Sequence, residues 1–117
     1  MSQNLAPRVT MVDGNAHVTL SKSYTPGREA PTVIILRPST MGDHASAMES
    51  VTSRGNNIEQ TMRLLTKTIV GVDGILPSVT YPFVANLRPR DFNLLDNAQV
   101  TLDYEDAPFA EEPSNDG

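Results

Sequence analysis

The chain has 117 residues, 38% of them apolar, with no cysteine, no tryptophan and a formal net charge of −5 at pH 7. That length suits one domain with a modest core, and the lack of thiols excludes a disulfide framework, a thiolate metal site and a thiol nucleophile. Six acids (Asp103, Glu105, Asp106, Glu111, Glu112, Asp116) and no base fall in 103–117, leaving nine bases against eight acids in 1–102, too even a balance for nucleic-acid binding through bulk charge.

Residues 1–7 are expected to be flexible. Residues 1–20 contain no basic segment followed by an apolar one, so secretion is not expected. The first structured unit is a hairpin. RVTMV (8–12) and AHVTL (16–20) flank Asp13-Gly14-Asn15, a strong tight-turn signal. With an Asp13-Gly14 loop, Met11 sits opposite Ala16 and Val9 opposite Val18; a Gly14-Asn15 loop preserves the same division. Either way Val9, Met11, Ala16, Val18 and Leu20 form an apolar face, and Thr10, Asn15, His17 and Thr19 take the other.

A polar connector with a Pro-Gly turn (21–31) leads to TVIILRPST (32–40), the most apolar run in the chain. Residues 32–37 are expected to be the most buried strand. Thr32, Ile34 and Leu36 face one way and Val33 and Ile35 the other, and helices should cover at least one side. Pro31 and Pro38 bound it.

The period then changes. Thr40 and Asp43 resemble a capping box with Asp in place of Glu. Met41, Ala45, Met48 and Val51 recur on one helical face. Gly55 suits the end of that helix, and Asn56 or Asn57 the start of the next. In the second helix Ile58, Met62, Leu65 and Ile69 make a stripe, Glu59 and Arg63 form an i,i+4 pair, and Gly71 is expected to end it. Residues 72–86 read as an irregular connector broken by Asp73-Gly74, Pro77 and Pro82. Pro89 opens a last helix to about 102, presenting Phe92, Leu95, Ala98 and Leu102. The predicted fold is α+β: an N-terminal β-hairpin plus one further strand in a small antiparallel or mixed sheet, with about three helices packed on it. Residues 8–103 make a single domain, and 104–117 form an acidic disordered tail.

No phosphate-binding, dinucleotide, nucleophile-elbow, zinc-protease or EF-hand motif is present. His17 and His44 would need further ligands that only carboxylates could supply, so no metal and no cofactor are expected. Asp43, Asp73, Asp91 and Asp96 could pair in space, but three of the four stand at helix ends or turns where capping already explains them. Arg88 and Arg90 bracket a helix start that could hold an anion, but solvated charge is the simpler reading. No apolar stretch approaches the ~18 residues of a membrane span. The expectation is a non-enzymatic cytoplasmic protein that acts through an interaction surface.

Candidate partner-binding residues are Met41, Met48, Ile58, Met62, Leu65 and Phe92, a methionine-containing set suited to apolar partners. A stripe facing the core and a stripe facing a partner look identical in sequence. The expectation is mixed, with Leu65 and Ile69 inward and Ile58 and Met62 nearer the partner.

The order of parts carries a resemblance. The hairpin leads into VIILRPSTMGD (33–43), followed by LLTKTIVGVDG (64–74) and LRPRDFNLL (87–95). Over roughly residues 8–103 this resembles the tail assembly chaperone family of contractile-tailed bacteriophages, the tail protein E-like family. The connector 76–86 is longer and richer in proline than the family's link, and the acidic tail lies outside the resemblance. The resemblance implies binding to the helical tape-measure protein in the bacterial host cytoplasm, protection of its apolar stripes, and recruitment of tail-tube protein. It also implies exclusion from the finished virion, with self-association open. The rival expectation is a small structural tail or baseplate protein retained in the virion. A third, an enzyme, would need a polar pocket with convergent ionisable groups, and none is expected.

Overall fold

Asp13 and Gly14 both adopt positive φ, 53° and 84°, the left-handed pair that a two-residue type I′ loop needs. In the computed structural model, which describes residues 8–51, 57–75 and 79–105, they join β1 (Arg8–Val12) to β2 (Asn15–Thr19). Val12 faces Asn15, Met11 faces Ala16 and Val9 faces Val18. The loop is therefore Asp13-Gly14, and the alternation correctly gives the apolar face.

β3 (Val33–Leu36) pairs antiparallel with β2. The polar connector before it is tied down by Leu20 and Thr32, whose backbone groups bond at 2.9 Å, and by Tyr24 N–H on the Thr32 hydroxyl at 2.6 Å. Beside β3 runs a strand the sequence did not announce, β4 (Ile69–Val72), giving an antiparallel sheet of order β1-β2-β3-β4. Two rows of side chains cross its inner face, Val9-Val18-Ile34-Val72 and Met11-Ala16-Leu36-Ile69.

Four helices follow the chain: α1 (Met41–Ser50), α2 (Asn57–Thr68), α3 (Tyr81–Ala85) and α4 (Pro89–Tyr104). Leu65 of α2, Val84 of α3, Leu87, and Leu95, Ala98 and Leu102 of α4 bury against the inner face of the sheet. Val18, Ile34 and Leu36 are fully buried there. The opposite face, with Thr10, His17 and Ile35 in one row, is only half-buried.

Several expectations are corrected. α2 ends at Thr68, not at Gly71. The Thr68 carbonyl accepts the Arg37 N–H at 3.0 Å, so the sheet takes the acceptor that another helical turn would need. Ile69 is buried as the stripe implied, but as a strand residue opposite Leu36. Gly71 lies within β4 opposite Ile35. Asp73 and Gly74 repeat the positive-φ turn (54° and 78°), and Ile75 folds back to bond Val72 in both directions at 2.8 and 3.0 Å. The connector expected to be irregular contains α3, with Pro82 in its first turn, where a missing N–H costs nothing.

α1 has the anticipated capping box, Thr40 and Asp43 exchanging bonds of 2.9 and 3.2 Å. Its predicted stripe faces outward, however. Ala47 is the residue that α1 buries, while Met41 is 80% and Met48 62% exposed. A methyl group lets the helix approach its neighbour α2 more closely than a methionine would allow. α4 continues through Tyr104, slightly beyond the expected helix end near 102. The expectations for Gly55 and Asn56, for a flexible 1–7 and for the tail beyond Glu105 lie outside the described residues.

Candidate functional site

Three of the six candidate residues converge. Ile58 and Met62 from α2 and Phe92 from α4 line one open groove of about 470 Å³, closed at one end by α3 and the turn after it through Val84 and Leu87. Ile58 is 62% exposed, whereas Met62 and Phe92 each rest partly on the core. The other three candidates stand elsewhere. Leu65 is fully buried and therefore a core residue. Met41 and Met48 sit on the outer side of α1 and do not line the groove. By burial, Leu65 and Ile69 are inward as expected, while Ile58 is outward and Met62 lies between them.

The expected Glu59–Arg63 pair forms, and further contacts that sequence did not reveal hold the groove walls. Arg63 of α2 lies 3.8 Å from the centre of the Tyr81 ring at the start of α3 and 3.2 Å from Glu59, which is itself buried. This stacked cation fixes the spacing of α2 and α3. At the start of α4, the buried Asp91 carboxylate accepts from Ser21 N–H at 2.9 Å, Ser21 Oγ at 2.7 Å and Tyr24 OH at 2.6 Å. Burial works against the Asp91 charge, but these hydrogen bonds and the nearby Arg88 outweigh it and hold the carboxyl below its ordinary range. Asp91 also occupies the positive end of α4, the position that an external anion would take. Arg88 and Arg90 beside it are exposed.

A second opening lies between α1, α2 and α4, with a volume of about 280 Å³. It shares Asn57, Thr61 and Asp96 with the groove. Its polar lining includes His44, Asp96, Gln99 and Asp103, so convergent ionisable groups do occur, contrary to expectation. Ser39, His44 and Asp103 also meet: Ser39 Oγ is 2.6 Å from Asp103 Oδ2 and 2.9 Å from His44 Nε2. The single hydroxyl proton goes to the carboxylate, which can only accept, so His44 must donate to Ser39. A nucleophilic serine needs the reverse, an imidazole that accepts its proton. The cluster ties α1 to the end of α4 and does not activate Ser39.

The remaining ionisable groups are dispersed. Arg37 grips Asp43 with two bonds of 2.7 and 3.1 Å and reaches the Lys67 carbonyl at 3.1 Å, which holds Asp43 well below the usual carboxylate range. Asp73 holds Val33 N–H at 3.0 Å and the Thr25 hydroxyl, with Arg28 at 3.5 Å. Burial pushes the Asp96 carboxyl up. Among the described residues no three acidic or histidine side chains are grouped to hold a metal, and no helix is long and apolar enough to cross a membrane. No family model matches the chain, and neither a curated protein nor a solved structure matches it.

Proposed function

We propose that this protein is a tail assembly chaperone of a contractile-tailed bacteriophage, working in the host cytoplasm without catalysis. It binds the tape-measure protein, keeps that long helical chain soluble and helps to recruit tail-tube subunits. The observation that carries the reading is the convergence of Ile58, Met62 and Phe92 from two helices on one open apolar groove. A groove between helices suits the apolar stripe of an amphipathic helix, recurring at i, i+3, i+4 and i+7. The resemblance of the three quoted segments to the tail chaperone family supplies the identity of that helix. Modest affinity per groove fits a chaperone that must later yield to tube protein, with many copies along one partner compensating through multivalency.

The test is co-expression with the longest tail gene product of the same phage. That product should become soluble and co-purify with the wild-type chain, and Ile58→Glu should reduce the co-purification while leaving the chaperone folded. An insoluble partner, or co-purification indifferent to Ile58→Glu, overturns the reading. Presence of the chain in purified particles would instead favour a structural component retained in the virion.

A further inference from the structure

The opening between α1, α2 and α4 has an excess of acceptors. Gln99 is 2% exposed, and its Nε2 donates to the Arg37 carbonyl at 3.1 Å and to Asp103 Oδ1 at 3.0 Å. Turning the amide over would set its oxygen against both acceptors, so its orientation is fixed by its neighbours. Gln99 Oε1 is consequently a buried acceptor with no donor among the described residues. Gln99 and Asp96 line the same cavity. No described side chain bonds to or pairs with Asp96. Asp103 adds a second carboxylate whose hydrogen-bond donors, Ser39 and Gln99, are neutral. Arg37 lies near Asp103 but is committed to Asp43. Among the described residues no lysine or arginine lines the cavity.

We propose that this cavity receives one basic side chain, a guanidinium or ammonium, carried by the helix that lies in the neighbouring apolar groove. This rests on the chaperone reading for the identity of the helix but not for the chemistry of the cavity. Continuity through Asn57, Thr61 and Asp96 places the acceptors beside the groove. A cation donates without accepting, which matches Gln99 Oε1 and the unpaired Asp96 together. The chain's own residues 106–117 contain acids and no base, so they cannot supply the cation.

The experiment titrates the full chain with N-acetyl-arginine amide, using N-acetyl-norleucine amide as the apolar control. Side-chain and backbone amide resonances of Gln99 and Asp96 are followed by NMR. Saturable shifts at both residues are expected with the arginine compound only, weakening at least fivefold in Asp96→Asn. Absence of saturable shifts, equal shifts with the norleucine compound, or unchanged affinity in Asp96→Asn overturns the proposal. Arg54, outside the described residues in the α1–α2 connection, is the internal rival. Tighter binding of the arginine compound by Arg54→Ala than by wild type would assign the cavity to the chain's own arginine and overturn a partner-borne cation. The two readings fail separately. Arginine binding without rescue of the tail partner removes the chaperone reading alone. Rescue that depends on Ile58 but not on Asp96, with no arginine binding, removes the cavity proposal alone.

Discussion

Asp91 shows how one side chain can organise distant parts of a small domain. Its carboxylate gathers Ser21 and Tyr24, about seventy positions earlier, onto the first turn of α4. Asp91→Ala leaves buried donors without an acceptor and is expected to cost about 2–4 kcal/mol in urea unfolding. The pH dependence follows from the direction of the shifts. Asp43 and Asp91 are held below their unfolded values. Their contribution is therefore complete above about pH 4 and is lost as pH falls through the lower folded values. The urea midpoint should hold between pH 7 and 5 and fall in more acid solution, less steeply in Asp91→Ala. Asp96 has the opposite sign. Burial raises its pKa, so its charge opposes folding near neutrality. Asp96→Asn is expected to be at least as stable as wild type at pH 7; a lower urea midpoint would contradict an unpaired carboxylate. From sequence, Asp91 was legible as a helix-start residue, but its partners were not, because contacts across such separations leave no local pattern.

Among the elements, those with repeating signals were readable and those made by tertiary contact were not. The apolar face of the hairpin, the capping box at Thr40 and the buried spacing Leu95, Ala98, Leu102 all follow from local chemistry. β4 did not, because Ile69 continues the helical stripe of Ile58, Met62 and Leu65 in spacing while belonging to a strand. The second Asp-Gly turn carried the same signal as the first, but four residues before it are too few to show a period of two. α3 is a single short turn of helix fixed by Arg63 on Tyr81, and without it the closed end of the groove could not be foreseen. The α2 stripe divides by burial, and substitution should divide with it. Leu65→Ala opens a cavity in the core and is expected to cost about 2–5 kcal/mol. Ile58→Ala removes an exposed side chain and should stay within about 0.5 kcal/mol of wild type while weakening the helical partner. Equal losses of stability in thermal melts would place Ile58 in the core and remove the groove wall. Ile34→Asp, which sets a charge among fully buried residues of the central sheet, should abolish cooperative folding altogether.

At the scale of the whole molecule, the helices lie on one face of the sheet and leave the other half-exposed, so the domain has two unlike sides. The groove and the acceptor-lined cavity both open among the helices. The far side carries Thr10, Val12 and His17. With no native cysteine, a single introduced thiol reports one position without ambiguity. Ile58→Cys, Met48→Cys and Val12→Cys sample the groove, the outer side of α1 and the far face, at sites 62%, 62% and 40% exposed. Because each is already accessible, substitution should leave the fold intact and the free-state labelling rates comparable. Bound partner should slow labelling at position 58 by at least tenfold and leave position 12 unchanged. Position 48 decides how far the partner reaches. Protection there would extend the contact from the groove across α1 and restore Met41 and Met48 to the binding surface. Full reactivity would confine the partner to α2, α3 and α4. Protection of position 12 with position 58 still reactive would move the interface to the far face of the sheet and reject a groove-bound helix.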